Sequence, residues 1–405
     1  MKKISPFLPP RFSILLQRSL WLLVGLVALG QLQRFELLPG VAVYGHDVFI
    51  VGWLVLVLSL SWEFLFEKLD GLWRHRFSGW QYLFMATVVW GVLLTLYTSW
   101  QQQSLIPLLY LLRLTTYASF AASLQLLKPN TTLQLQQLVV ALLVGLLGIL
   151  QFVLLPDIRF LFILGWDDHY YRLVSTLLDP AFTGALLLLG LLFSFTLPQK
   201  NSLPPWVLIV FRTVLLVAML LTFSRATYLA GLVGGGYLIL KTNKRVPIKS
   251  VILLASVVLL LSAGLYLTLG GEGTRLWRTS TVSARLSNTQ AYLQQTNASS
   301  LLVGQGWFSS AATQNTSGEL PNHATVPDNF FVLLIVSLGI PGAIAFVVSL
   351  WMCAIPVFKG KPALQALVLA LLIHTQFSNT LLQPFIWLYF GWGLAVTEKL
   401  QAQGD

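Results

Sequence analysis

Charge is what this chain has least of. Asp, Glu, Lys and Arg make up 10% of its 405 residues, where an average soluble domain carries about 25%. Acids are the scarcer sign, 14 Asp and Glu against 25 Lys and Arg. No relay of intramembrane carboxylates is visible, which argues against a pump or an ion-coupled transporter. The single cysteine, Cys353, excludes an intramolecular disulfide. Gly231, Gly234, Gly235 and Gly236 are not followed by Lys-Ser/Thr, so they read as helix-packing glycines and ATP hydrolysis has no visible site. Basic residues never form a long run with interleaved aromatics, which excludes nucleic acid as the natural partner.

Apolar surface is what the chain has in excess. Hydrophobic residues reach 56%, and 14 Trp and 25 Phe are spread along the whole length. They cannot all enter one core of this size without an apolar solvent outside it. The class is therefore all-α integral membrane, with about twelve apolar stretches of spanning length. They fall near residues 14–30, 41–62, 80–98, 104–127, 133–155, 180–197, 204–222, 226–240, 249–269, 328–354, 362–377 and 380–397. The run 204–240 is too long for one span at about 1.5 Å per residue, so a tight turn is expected at Thr222–Arg225. The start, MKKISPFLPPR before an apolar run, has the shape of a signal peptide, and we read it as an uncleaved first span.

With that count every lysine falls on one side of the membrane, which the positive-inside bias makes cytoplasmic, together with both termini. The opposite face carries Arg34, Arg159, Arg172, Arg225, Arg275, Arg278 and Arg285 and no lysine. Arginine's planar fork suits bidentate contact with phosphate and carboxylate, whereas lysine acts as a point charge. As a group these arginines suggest a phosphate-bearing ligand. Arg113 and Arg212 sit inside expected spans, each costing about 2.5–3.5 kcal/mol if unpaired, and must face a cavity or a partner.

Two external segments exceed what a connection requires, residues 156–179 and residues 270–327 between spans nine and ten. In the first, Asp157, Arg159, Asp167, Asp168, His169 and Arg172 crowd together. Asp167, Asp168 and His169 offer metal-ligand chemistry, but adjacent aspartates diverge on most backbones and no third carboxylate is evident, so no metal site is assigned. Asp179-Pro180 reads as a helix start and Asp328 as a helix cap. In the second segment, Val282, Leu286, Tyr292 and Leu293 can share one face of a short helix lying against the membrane, from which Arg285 points toward the bilayer mouth. LLVGQGW then turns at Gly304 and Gly306, and His323 is the loop's histidine.

LLTFSRATYLAGLVGG, with Ser224-Arg225 at a span junction, resembles the O-antigen ligase and polymerase superfamily. GWDDHYYRLVSTLLDPAFTG, ARLSNTQAYLQQTNASSLLVGQGW and NHATVPDNFFVLLIVSLGIPGAIAF look like that family's approach to the sixth span, its arginine-bearing external helix and its histidine-bearing segment before the next span. The resemblance divides the chain into N-terminal helices (1–139), a ligase- or polymerase-like core (140–350, with the external loop 270–327) and C-terminal helices with a short tail (351–405).

The resemblance implies a membrane glycosyltransferase of the GT-C type in the bacterial inner membrane. It would move a glycan from a polyprenyl-diphosphate donor to a glycan or lipid-linked acceptor at the periplasmic or exterior face, without cofactor or metal. Arg172, Arg225 and Arg285 match the family's arginine positions and would hold the diphosphate, with Arg275 and Asp168 in the same substrate-binding set. His323 matches the motif histidine, which would activate or orient the acceptor hydroxyl, alongside Arg225 and Arg285 as catalytic groups. Members often carry His-Asn where this chain has His323-Ala324, and an acid where it has Ser337, so ligase and polymerase both stay open. A small-anion transporter, such as one for bicarbonate, is the competing class.

Overall fold

The computed structural model describes residues 10–38, 41–74, 77–127, 131–197, 203–242, 275–276, 279–309 and 327–401, with short helical pieces at 260, 263–264 and 267–268. Thirteen helices carry the described chain: α1 (Pro10–Leu29), α2 (Gly45–Arg74), α3 (Gly79–Gln101), α4 (Ile106–Ser123), α5 (Thr131–Leu154), α6 (Pro180–Phe193), α7 (Pro205–Leu221), α8 (Arg225–Lys241), α9 (Ser280–Gln295), α10 (Ala298–Val303), α11 (Phe330–Phe358), α12 (Pro362–His374) and α13 (Pro384–Gln401). Among the described residues, four segments are long and apolar enough to cross a membrane: Arg11–Gln33, Gly79–Gln101, Thr131–Leu154 and Phe330–Phe358. Shorter apolar helices cover Gly45–Leu60, Pro180–Phe193, Pro205–Leu221, Pro362–His374 and Pro384–Thr397. Large apolar side chains stay outward along these helices, Leu22, Val89, Leu93, Leu232 and Trp351 among them. Such faces are at rest in lipid rather than water.

Most of the expected apolar stretches overlap a helix, the exception being 249–269, most of which lies outside the described residues. The long 204–240 run is two helices, α7 and α8, parted by Thr222, Phe223 and Ser224. An all-helical chain was expected, yet Arg34–Leu38 and Val41–Tyr44 pair as a two-stranded sheet, β1 and β2, on either side of the turn signal Pro39-Gly40.

The chain folds as two contact units interleaved in sequence. The first comprises residues 1–14, 35–127 and 282–360. Within it α3 packs on α11, α10 on α11, and α2 on α4. A kink organises this unit: Gly339 breaks α11 at φ 72°, ψ 164°, where a side chain would meet the Leu302 carbonyl at 2.2 Å. The LLVGQGW turn fits against that kink, with Gln305 N donating to Val336 O (2.8 Å) and Gly306 N to Ser337 O (2.9 Å). Its far side straps α3, since Trp307 N donates to Thr95 Oγ1 at 2.7 Å. The α11 cap is Asn329, which accepts from Phe331 N and Val332 N, rather than the expected Asp328 one residue earlier.

The second unit comprises residues 15–34, 128–281 and 361–405. Helices α5, α6, α7, α8, α12 and α13 pack around a core of Leu186, Leu189, Phe193, Leu215, Tyr389 and Trp392. Of the four glycines expected to pack helices, Gly234 makes the close approach, where a Cβ would lie 2.8 Å from both the Ala366 carbonyl and the Ala370 methyl of α12, while Gly235 and Gly236 face open space. Gly190 does the same against Ala141 of α5.

Candidate functional site

The second unit gathers polar groups around the α7–α8 junction. Ser224 caps α8, its side chain accepting from Thr227 N. Phe223 before it takes a left-handed φ of 49°, a conformation that bulky residues adopt only where their surroundings hold them. Arg172 is one such restraint: it is buried, and its Nε donates to Thr222 O (3.1 Å) and its Nη2 to Phe223 O (3.4 Å). Leu173 N adds a bond to Leu221 O at 2.9 Å. Arg225 opens α8 two residues beyond Phe223, half-buried, with Nη1 donating to Leu276 O at 3.3 Å. Arg172, Arg225 and the residue next to Arg275 thus meet around one turn, where main-chain carbonyls order the guanidinium groups.

Sequence reasoning expected the adjacent aspartates Asp167 and Asp168 to diverge and found no third carboxylate. The structure corrects the second point. Asp168 is exposed and stands outside the group that half-buried Asp167 and buried His169 form. Asp179, expected only to cap a helix, joins them: ligand atoms of Asp167, His169 and Asp179 all lie within 4.8 Å of one another. Asp179 also caps α6, accepting from Phe182 N at 2.7 Å. Burial pushes its carboxyl up; the bond from Phe182 N pulls it down, Asp167 raises it again and Arg172 lowers it. Two carboxylates and an imidazole are a donor set that manganese-like or zinc-like ions accept. At the exposed rim, Asp157 and Arg159 form a bidentate pair (2.9 and 2.6 Å), which brings the Asp157 carboxyl down to about 2. Phe160, Phe162, Ile163 and Leu164 follow as an exposed apolar tip.

A buried histidine that sequence reasoning passed over lies behind the junction. His374 Nε2 sits 3.1 Å from Thr227 Oγ1, which bonds Ser224 Oγ at 2.9 Å, and His374 Nδ1 sits 2.7 Å from Thr380 Oγ1. Both ring nitrogens of His374 are thus engaged by buried hydroxyls. The chain Ser224–Thr227–His374–Thr380 braces the residue that precedes Arg225. A histidine within an apolar stretch was the only signal that could have pointed to it.

Arg285 belongs to the first unit, on α9, half-buried. Val282, Leu286 and Leu293 form an exposed apolar stripe on that helix, while Tyr292, expected on the same stripe, turns inward. Arg278 and His323 lie outside the described residues. The partner demanded by Arg113 is Asp47, 3.0 Å away, with Tyr44 and Tyr110 rings 5.2 and 5.7 Å from the guanidinium. Tyr117 donates to Asp47 and lies 2.7 Å from His46 Nε2. Arg212 bonds Ser194 Oγ (2.9 Å) and O (2.8 Å) at the end of α6 and lies 4.0 Å over Phe195, where a cation meets the negative pole of that helix.

Helical and apolar on its outer faces, with arginines ordered at a helix junction, the chain is a multi-pass membrane protein. Residues 209–347, about a third of the chain, match the family model described as O-Antigen ligase, a match that supports membership of the O-antigen ligase superfamily. The matched segment contains the α7–α8 junction, α9, the LLVGQGW turn and the α11 kink. The match supports a membrane glycosyltransferase-like role in polysaccharide assembly and, at a coarse level, lipid-linked glycan and acceptor substrates. No curated protein matches the chain.

Proposed function

We infer that the protein transfers a glycan from a polyprenyl diphosphate, such as undecaprenyl diphosphate, to an acceptor hydroxyl at the periplasmic or exterior face of a bacterial inner membrane. The architecture is of the GT-C type, with about twelve spans and both termini cytoplasmic. The observation that carries this reading is the α7–α8 junction, where Arg172 and Arg225 are held around one turn inside or beside the family-matched segment.

Outside the cell no ATP is present, and a lipid diphosphate brings its own leaving group. As the glycosyl–oxygen bond breaks, charge grows on the departing diphosphate. Arginines ordered in advance by main-chain carbonyls stabilise that charge at a partly dehydrated membrane mouth. Arg172, Arg225 and Arg285 take the diphosphate, with Arg275 and Asp168 in the surrounding substrate set. His323 receives or orients the proton of the acceptor hydroxyl as it attacks the anomeric carbon. Because the arginines supply the positive charge, the reaction requires no metal. The exposed stripe Val282, Leu286 and Leu293 and the apolar tip Phe160–Leu164 fit segments resting on the bilayer surface beside the donor's lipid.

The test incubates reconstituted protein with a polyprenyl-diphosphate-linked repeat unit and candidate acceptors and resolves the products on a gel. A ladder means a polymerase and a single shifted acceptor means a ligase; in either case His323→Ala and Arg285→Ala abolish the product. No conversion of any lipid-linked donor, with arginine-dependent bicarbonate uptake into the same vesicles, overturns the reading in favour of an anion transporter.

A further inference from the structure

The first unit contains a cavity of about 540 Å³ between the end of α3, the end of α9 and the α10 turn. This lies within the roughly 300–1,000 Å³ range of sites that hold small ligands. Among the described residues its wall has no acidic or basic side chain. Instead it presents amides and hydroxyls, Gln101, Gln102, Asn297 and Gln305, beside two tyrosines, Tyr97 and Tyr292. The site is built, not incidental. Gly306, at φ 90°, lets the turn press so closely on α3 that a Cβ would lie 2.4 Å from Thr95 N, and Gln305 Nε2 is oriented by Ser300 Oγ at 3.1 Å. Tyr97 is fixed by Gln101, whose Nε2 donates to its hydroxyl at 2.6 Å, while half of the tyrosine stays exposed. Gln102 Oε1 is buried and has no hydrogen-bond donor among the described residues.

We propose that this cavity is a subsite for uncharged sugar rings. Two chemical features select that ligand. Primary amides and hydroxyls offer donors and acceptors together, which matches a polyol whose every hydroxyl is both. A tyrosine ring gives an amphipathic face on which the C–H side of a pyranose can lie while its phenol bonds the rim. A uronate or phosphorylated sugar would have to shed water from its charge against a wall whose described residues include no cation to receive it. The cavity therefore discriminates in favour of neutral glycans as well as binding them. Under the topology proposed above, the end of α3 and the α9–α10 segment both face the exterior. The subsite deepens that reading and rests on it only for which substrate delivers the sugar, the lipid-linked donor or the acceptor.

Binding is measured without transfer, by tryptophan fluorescence of the full-length protein in nanodiscs. The probes are neutral hexose and N-acetylhexosamine tri- to pentasaccharides and their uronate-containing counterparts. The expected result is saturable binding of neutral probes, weakened about tenfold by Tyr97→Ala and by Gln102→Ala at unchanged melting temperature, with uronate probes binding at least tenfold more weakly. Tyr97→Phe, which keeps the ring and loses only the bond from Gln101, retains most of the affinity. Absence of saturable binding to every neutral probe, equal binding of uronate probes, or indifference to both Tyr97→Ala and Gln102→Ala overturns the proposal. In the transfer assay, a KM increase in Tyr97→Ala confined to the donor or to the acceptor assigns the source of the sugar. Sugar binding without transfer would refute the proposed reaction and leave the subsite standing, whereas transfer with binding insensitive to these variants would do the reverse.

Discussion

Arg113 in the first unit and Arg225 in the second show two uses of the same side chain. Arg113 meets a carboxylate, Asp47, at 3.0 Å, beneath two tyrosines and beside His46 and Tyr117. Both partners are about 15% exposed, so this is a largely buried ion pair tying α4 to the start of α2. Arg225 is ordered by a carbonyl, Leu276 O, and sits at the positive end of α8, in company with Arg172 on the carbonyls of Thr222 and Phe223. The printed partners differ in kind: a carboxylate pairs with Arg113 in a largely buried ion pair, whereas main-chain carbonyls fix the geometry of Arg225 and Arg172. Under the proposed function the contrast separates a structural arginine, Arg113, from a functional one, Arg225.

The contrast breaks most sharply on substitution. Arg225→Ala should lower transfer about 10²–10³-fold at unchanged thermal stability, as expected when a preorganised charge is removed from a transition state. Arg225→Lys should recover little, because the planar fork is lost. If Arg225→Ala instead melts the protein, the junction is a structural element and the comparison fails. Arg113→Met should behave the other way, costing roughly 3–5 kcal/mol of stability by stranding Asp47, with activity per folded molecule preserved. The double variant with Asp47→Asn should regain much of the loss in a thermal-melt cycle.

Chelation gives a subtler test. Transfer should persist in EDTA, since the charge is supplied by arginine; loss of activity, restored by manganese or zinc and abolished in Asp167→Asn, would assign the Asp167–His169–Asp179 group a catalytic part. The smallest effect belongs to the Asp157–Arg159 pair, which is exposed and screened. Its folded carboxyl lies at about 2, below the usual value of 3.8. Its contribution is therefore present above about pH 4 and lost as pH falls through about 2. At pH 7 Asp157→Asn should leave the melting temperature and transfer unchanged within error, with any difference from wild type vanishing in acid.

The helices and the α7–α8 break were legible in the sequence because they depend on apolar run length, and 204–240 is simply too long for one span. The turn at Gly304 and Gly306 was legible too, since only glycine reaches φ near 90° at both places cheaply. Interactions across sequence were not. Asp179 comes beside Asp167 and His169 only in the folded chain, and its role as a cap concealed the second one. The neutral cavity draws on residues near 97, 292 and 305, each unremarkable alone, although the run Gln101–Gln102–Gln103 at the end of an apolar helix was a signal. The β1–β2 pair escaped because its apolar residues merge into those of α2, and the cap at Asn329 escaped because Asp328 beside it is an equally good candidate by residue type.

The most direct test of the central claim, that the junction arginines hold a lipid diphosphate, is the thermal shift that undecaprenyl diphosphate imposes on wild type, Arg225→Ala and Asp157→Asn in nanodiscs. A stabilising shift in wild type and Asp157→Asn that disappears in Arg225→Ala is the predicted result. The same shift in all three proteins would contradict it.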